Sequence, residues 1–330
     1  MMNRKYFFAL AIIFLACPAE LSAQQSIKTE LMVRTCDGKD VFGIAGQATV
    51  SIQADGHSHS IELANLLSLH SALPATELEQ QSITSNLAVL DGTDLAKSEQ
   101  AAAELADIGL PVISPLLKNF PDTDAHMPDY RYRLFGRILP GHADGLDRSL
   151  DLVRLADGTT LRGNLADTNI IMVDEEGRRQ VIPTSNIRRI AVLKETISRT
   201  IYLDALHHCT YVGLMDCGIF LTEQSSLICD ARGFVRLSFD EDGWSADPDG
   251  IFEPLEGKRK LQEGFRWGSV LGKVGPSGER WFVGKHLEKS DAGSGRLYLV
   301  INDNEHWQNN IGSYRVQLVV KNAFDVGEPW

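Results

Sequence analysis

Three short clusters of reactive side chains stand out in the sequence, and none has the spacing of a catalytic site. His207-His208-Cys209 offers metal-ligating groups but lacks a second ligand pair at a known spacing, so it is expected to be a strand or surface segment. Asp240-Glu241-Asp242 and Asp247-x-Asp249 lie in adjacent turns of one segment, where a solvated acidic loop is expected. No nucleophile elbow, zinc-protease, phosphate-loop or dinucleotide motif is present. The sequence therefore predicts a protein that is not an enzyme.

The tryptophans have an uneven distribution that suggests a specialised C-terminal third. All five lie after residue 243, at Trp244, Trp267, Trp281, Trp307 and Trp330. Flat indole rings stack on the apolar faces of pyranose rings, and they also fill the core of a β-sandwich. The residues alone leave both interpretations open.

Length and charge limit the protein classes that need to be considered. A chain of 330 residues with 43% hydrophobic and 23% charged residues predicts two or three globular domains. The net charge is −12, from 32 Lys+Arg and 44 Asp+Glu. Non-specific nucleic-acid binding needs cations to displace counterions, so a nucleic-acid partner is not expected.

The first residues have the order of a secretory signal. Asn3-Arg4-Lys5 is basic, Tyr6 to Ala16 is apolar, and Leu21-Ser22-Ala23 offers small residues. We expect a signal peptide at residues 1–23, no transmembrane segment after its removal, and a secreted or periplasmic protein. Cleavage as a lipoprotein at Cys17 is the alternative.

Removal of that segment leaves four cysteines, Cys36, Cys209, Cys217 and Cys229. An exported compartment permits disulfides, and four cysteines allow three pairings that the sequence cannot distinguish. A bridge between Cys217 and Cys229 is the easiest to envisage, because it would close a short loop between adjacent strands.

Two stretches of the chain read alike and predict two small β modules, at residues 26–75 and 150–195. The first contains Val33 to Gly38 followed by Gly43, and the second contains Val153 to Gly158 followed by Gly163. Asp-Gly between alternating apolar runs is a hairpin signal. The order of strands, hairpins and one short turn resembles an Sm-like small barrel, which is a likeness of fold alone. Two scaffolding modules are the expected role.

A helical segment is predicted between the two modules, at residues 88–140. Leu95, Ala102, Leu105 and Ile108 have helical spacing, Thr93 or Asp94 can cap the start, and Gly109 can end the helix. A second helix opens near Pro111, and Tyr130 to Leu139 is a further candidate. The segment resembles one HEAT-type unit, which cannot bury its own face and is expected to pack on the β modules.

The C-terminal segment carries the most specific motif. Strands are predicted around Ser269 to Gly275, Trp281 to Gly284 and Gly295 to Ile301, and the last is followed by Asn302-Asp303 and then Asn309-Asn310-Ile311-Gly312-Ser313-Tyr314-Arg315-Val316. This order, over residues 215–321, resembles the PA-I-type galactophilic lectin family. The resemblance implies a lectin-like β-sandwich at residues 205–325. The predicted fold is therefore mainly β, with two small β-barrel-like modules around a helical insert and a C-terminal sandwich.

The resemblance also implies a calcium site, because Ca²⁺ takes six to eight hard oxygen ligands. Asp303 offers a carboxylate, Asn309 and Asn310 offer amide oxygens, and a backbone carbonyl near Asp247 completes the metal set. In the family the ion also holds sugar hydroxyls, and the ligand-binding set implied here is Asp303, Asn304, His306, Trp307 and Gln262.

Three departures from the family pattern bear on the ligand, and the first is that Trp307 or His306 replaces the family's threonine. The gap between Asp303 and Asn309 is one residue shorter, and no histidine matches the sugar-contacting one, which leaves Gln262 as the only plausible amide on the facing loop. A tight polar turn satisfied by its own hydrogen bonds is the competing interpretation of Asp303, Asn309 and Asn310. The predicted function is calcium-assisted recognition of carbohydrate or glycan. The alternatives are a structural or protein-interaction module of the cell envelope with an envelope-protein partner, and an accessory subunit of a secreted hydrolase.

Overall fold

The computed structural model describes residues 28–90, 94–119, 149–210, 213–237, 244–251, 264–303 and 310–327. The fold is mainly β, as predicted. Its strands join into one continuous hydrogen-bonded array in which the named strands pair antiparallel. The predicted signal at residues 1–23 and the helix candidate at Tyr130 to Leu139 lie outside the described residues.

The first β module consists of five strands and one single-turn 3-10 helix. Its third and fourth strands form a hairpin at Asp55-Gly56, where both residues have positive φ (51° and 77°), the conformation of a type I′ turn. The 3-10 turn at Leu63–Asn65 precedes the fifth strand. The strands are β1 (Glu30–Thr35), β2 (Asp40–Ala45), β3 (Thr49–Ala54), β4 (His57–Glu62) and β5 (Leu66–His70).

The helical segment contains α1 (Glu77–Leu90), α2 (Leu95–Ile108) and α3 (Ile113–Asn119). The predicted limits of α2 are confirmed, because the Asp94 side chain accepts a hydrogen bond from Lys97 N at 3.2 Å and Gly109 ends the helix with φ 79°. The first helix begins before the predicted boundary at residue 88. Its N-terminus is a capping box, in which Thr76 N donates to Glu79 Oε2 at 2.7 Å and Glu79 N donates to Thr76 Oγ1 at 3.3 Å.

The second β module has the same order of elements. A 3-10 turn at Thr184–Asn186 again precedes the last strand. The strands are β6 (Asp151–Leu155), β7 (Thr160–Leu165), β8 (Asn169–Val173), β9 (Arg179–Pro183) and β10 (Ile187–Asp204).

Strands of the two modules pair with each other, so the modules share one core. β1 pairs with β10, β5 pairs with β6 and β10, β2 pairs with β8, and β3 pairs with β7. Fully buried residues of both modules pack together in this core: Leu31, Val33, Val50, Ile52, Leu63, Leu66, Leu69, Val153, Ile170, Ile187 and Ile190. Neither module therefore completes its core with its own strands alone.

The C-terminal sandwich grows from the same long strand. The last part of β10, from Leu193 to Asp204, pairs with β17 instead of β1. The following strands are β11 (Met215–Arg236), β12 (Ser245–Ala246), β13 (Val270–Val274), β14 (Trp281–Phe282), β15 (His286–Lys289), β16 (Gly295–Ile301) and β17 (Ile311–Asp325). β11 pairs with β17 on one side and with β12, β15 and β16 on the other.

The junction between the three parts is filled by aromatic and charged side chains. The Phe42 ring lies 5.9 Å from that of Phe220 and 5.8 Å from that of Phe324. Asp107 of α2 accepts ion pairs from three arginines: Arg34 at 3.1 Å, Arg189 at 3.7 Å and Arg296 at 3.4 Å. The helices, the shared β core and the sandwich therefore meet at one carboxylate.

The four described cysteines lie in the interior and form no disulfide with one another, so the envisaged Cys217–Cys229 bridge is absent. Burial raises the pKa of the Cys217 thiol well above its ordinary value and that of Cys229 to about 12. Within the described part of the chain, no helix is long and apolar enough to cross a membrane.

Candidate functional site

Two buried polar residues lie where the loop between β16 and β17 leaves and re-enters the sandwich. Asp303 follows the end of β16, and Asn310 immediately precedes β17. Each side chain is 2% exposed. The two side chains, seven positions apart in the sequence, meet at this point although β16 and β17 are each paired with other strands.

Asp303 and Asn310 are in direct contact. The Nδ2 group of Asn310 donates to Asp303 Oδ2 at 2.5 Å and to the carbonyl oxygen of Ala205 at 3.0 Å. The backbone of Asp303 is fixed by Thr210, whose Oγ1 donates to Asp303 O at 2.7 Å and accepts from Asp303 N at 2.9 Å. The structure thus brings together two of the predicted metal ligands on a rigid support.

Two buried amide oxygens, Oδ1 of Asn310 and Oδ1 of Asn302, the residue before Asp303, lack a hydrogen-bond donor among the described residues. Their orientation is fixed, because Asn302 Nδ2 donates to the carbonyls of Phe265 and Arg266 at 3.1 Å, and Asn310 Nδ2 likewise faces only acceptors. A buried acceptor without a donor costs about 1–3 kcal/mol, which a bound cation would offset.

This donor set fits a calcium ion in its chemistry. Carboxylate and amide oxygens are the hard ligands that Ca²⁺ prefers. The described residues contain no group of three or more His, Cys, Asp and Glu side chains that could hold a metal ion. A cation here would therefore depend on Asn310, Asn302 and backbone carbonyls in addition to Asp303.

Asp247 lies on the neighbouring loop, and its carboxylate has other partners. Its Oδ2 contacts Lys285 Nζ at 2.6 Å, and its Oδ1 accepts from Asp249 N at 2.9 Å. The hydrogen bond to Asp247 raises the pKa of the Lys285 ammonium. The Asp247 side chain is therefore engaged by its own loop and by Lys285, which directly precedes β15.

The backbone of Asp247 is nevertheless linked to the Asp303 region through Tyr314. The Tyr314 hydroxyl lies 2.8 Å from the carbonyl oxygens of both Asp247 and Gly268, and burial raises the pKa of that hydroxyl. Gly268 N in turn donates to Asn302 O at 2.7 Å. Tyr314 and Gly268 thus fix the spacing of the two loops.

Several predicted ligand and metal residues lie outside the described residues, namely Asn304, His306, Trp307, Asn309 and Gln262. The Asp240-Glu241-Asp242 segment, Trp307 and Trp330 also lie outside them. Trp267 is buried, while Trp244 and Trp281 are partly buried and pack against the sandwich core. The core interpretation therefore holds for these three indoles.

The His207-His208-Cys209 segment lies in the turn that follows β10, with His208 and Cys209 buried, and is not the expected strand or surface segment. His208 Nδ1 accepts from Asp204 N at 3.1 Å, His207 Nδ1 lies 3.0 Å from Asp204 Oδ1, and Cys209 is buried in the core. Sequence reasoning missed Asn302 and Thr210 as parts of the site. Asn302 had a signal, since it adjoins Asp303, whereas Thr210 lies 93 positions away and had none.

Comparison with solved structures finds a similarity to a lectin domain, whereas comparison with families and curated proteins finds none. No protein-family model matches the sequence, and no curated protein is similar to it. The chain is similar to the N-terminal domain of EclA, described as a PllA-like lectin, with 18% sequence identity and a TM-score of 0.29. That match covers 38% of this chain and 98% of the other. It concerns the fold alone.

Proposed function

We propose that the C-terminal sandwich is a non-catalytic carbohydrate-binding domain that holds a calcium ion beside Asp303. The observation that carries this proposal is the buried contact between Asp303 and Asn310. The Asn310 Oδ1 atom beside it has a fixed orientation and accepts no hydrogen bond from a described residue. A self-satisfied polar turn would leave no such oxygen.

Calcium would supply positive charge and open coordination positions for two neighbouring sugar hydroxyls. Asp303 would neutralise part of that charge, and Asn310 Oδ1 and Asn302 Oδ1 would supply neutral oxygen donors. Thr210 holds the Asp303 backbone and the Ala205 carbonyl holds the Asn310 side chain in place before binding, which reduces the entropy lost when a ligand binds. From the family resemblance, Asn304, His306, Trp307, Asn309 and Gln262 would complete the ion and sugar contacts.

The proposal extends to location. The basic, apolar and small-residue order of residues 1–23 supports export to the periplasm or the exterior, with lipid attachment at Cys17 as the alternative. A glycan of an envelope or an extracellular matrix would then be within reach.

The experiment is a glycan array screened with 1 mM Ca²⁺ and again with excess chelator. We expect a defined set of glycans to be bound only with calcium, and Asp303→Asn to lose that binding. Asp157→Asn, a matched change in an exposed turn of the second β module, should bind like wild type. Equal binding with chelator, or unchanged binding by Asp303→Asn, would refute the calcium-assisted proposal.

A structural or protein-interaction role is the second candidate. The observation that favours this role is the continuity of β10, which passes from the shared β core into the sandwich as one strand and so connects the two parts directly. If the folded protein binds neither calcium nor any glycan, this candidate replaces the first.

A further inference from the structure

The outer surface of the sandwich sheet carries an unusual row of side chains. The register places Tyr202 of β10 opposite Arg315 of β17, and Arg315 opposite Arg232 of β11. The residues on either side, such as Leu203, Tyr314 and Val316, are buried in the core, so the row points outward. Phe234 and Ile311 lie on the same surface toward the end of the sheet. We call Tyr202, Arg232, Phe234, Ile311 and Arg315 the outer face.

Three large apolar side chains of the outer face are exposed to solvent. Phe234 is 71% exposed, Tyr202 is 60% exposed and Ile311 is 44% exposed. Single exposed apolar residues are ordinary, but a group on one flat sheet surface is typical of a binding surface.

The two arginines are held opposite each other without acidic partners. Like charges directly opposed across a strand pair are destabilising. Neither the Arg232 nor the Arg315 guanidinium group forms an ion pair or hydrogen bond with another described residue. The carboxylates of the same surface have other partners, because Asp204 contacts His207 at 3.0 Å and Asp230 contacts His286 at 2.8 Å.

The two opposed arginines destabilise the fold, but their guanidinium groups can bind an anionic ligand. Guanidinium groups bind carboxylate or sulfate groups with two parallel hydrogen bonds. Aromatic rings beside them offer an apolar surface for sugar rings. Strands about 4.8 Å apart place Tyr202 roughly 10 Å from Arg232 across the sheet, which suits an extended chain of sugar units better than a single sugar.

We propose that the outer face binds an acidic polysaccharide, with Arg232 and Arg315 pairing with its anionic groups and Tyr202 and Phe234 contacting its sugar rings. The inference deepens the proposed carbohydrate recognition, but it uses a surface that requires no calcium. On a chain with net charge −12, two unpaired guanidinium groups on one surface supply the local attraction that the acidic chain as a whole lacks.

The test measures binding of immobilised heparin, polygalacturonate and neutral galactan to the full chain in the presence of chelator. We expect the two acidic polymers to bind and the neutral one not to, with binding weakened as salt rises from 50 to 500 mM. A preference between heparin and polygalacturonate identifies sulfate or carboxylate as the favoured group.

The double variant Arg232→Gln/Arg315→Gln should bind about tenfold more weakly or worse. Its melting temperature should equal or exceed that of wild type, because a like-charge contact is removed. Arg179→Gln, an exposed arginine of β9, is the matched control and should bind normally. Asp303→Asn should also bind normally, so failure of the calcium site and failure of the outer face are distinguishable.

Three results would overturn the inference. The first is equal binding by the double variant and wild type, and the second is equal binding of neutral and acidic polymers. The third is loss of self-association in the double variant, measured by sedimentation, without polysaccharide binding by wild type; the outer face would then be an interface between copies of this chain.

Discussion

Two buried polar clusters of this molecule differ in how fully their atoms are paired. In the first, Arg188 of β10 donates to both oxygens of Glu79 at 2.5 Å and to the carbonyls of Leu73 and Pro74 at 2.6 and 2.7 Å. In the second, Asp303 and Asn310 contact each other while Asn310 Oδ1 has no donor among the described residues. Both clusters are buried, so burial does not distinguish them.

The difference separates a structural role from a binding role. In the Arg188–Glu79 pair, the two charged groups satisfy each other and attach α1 to the shared β core. The Asp303–Asn310 cluster is rigid but leaves Asn310 Oδ1 without a donor among the described residues, which a folded protein normally avoids. The first cluster is complete without a ligand, whereas the second is the one that we propose for a cation.

The largest expected effect on stability concerns the Arg188–Glu79 ion pair. Glu79→Ala leaves the Arg188 charge buried without its partner, and we expect it to lower the free energy of unfolding by about 3–5 kcal/mol. Urea denaturation measures the change. Glu77→Ala, an exposed glutamate of the same helix, is the control and should change stability little. A small loss in Glu79→Ala would show that the pair does not anchor α1.

The second expected effect concerns acid pH. Burial alone would raise the pKa of the Glu79 carboxyl, but hydrogen bonds from Arg188 and Thr76 hold that pKa below its ordinary value of 4.5. A depressed folded-state pKa gives stability that is present above pH 4.5 and is lost as the pH falls through the folded-state value. Melting curves from pH 6 to 3 should therefore show a smaller acid loss for Glu79→Gln than for wild type. Parallel curves would contradict this assignment.

The third effect tests the incompletely paired cluster. Asn310→Asp places a second carboxylate beside Asp303, which we expect to destabilise the calcium-free protein by about 1–3 kcal/mol. The same change should enlarge the stabilisation by calcium, since it adds a charged ligand. Thermal melting with calcium and with chelator measures both, with Asn169→Asp at the exposed first position of β8 as the control. An equal calcium response in Asn310→Asp and wild type would place the ion elsewhere.

The smallest effect is expected at a pair on the surface. Arg178 contacts Asp174 at 2.8 Å in a solvent-exposed turn of the second β module. Arg178→Gln should leave the melting temperature unchanged, because water screens this contact. A large fall in the melting temperature would show that this exposed ion pair stabilises the fold, contrary to the expectation.

Local features of the fold could be predicted from the sequence. Asp94 and Gly109 mark the ends of α2, and Asp55-Gly56 marks a hairpin, because each signal acts within a few residues. The first helix also has a local signal, the Thr76–Glu79 capping box. The apolar periodicity of α1 is weak, so that second pattern does not indicate a helix there.

Long-range features could not be predicted in the same way. Hairpin and alternation patterns do not specify a partner strand. The pairing of β1 with β10 and of β3 with β7 therefore cannot be predicted from the sequence pattern. For the same reason Thr210, on a different segment, could not be assigned to Asp303. The outer face depends on register across three strands, which is a tertiary property.

The most direct measurement is calorimetric titration of the full chain with Ca²⁺, for wild type and Asp303→Asn in parallel. The account predicts saturable binding of one ion by wild type and loss of that binding in Asp303→Asn, with both proteins folded. Equal binding by the two proteins, or no heat in wild type, would contradict the claim that the Asp303–Asn310 cluster holds a calcium ion.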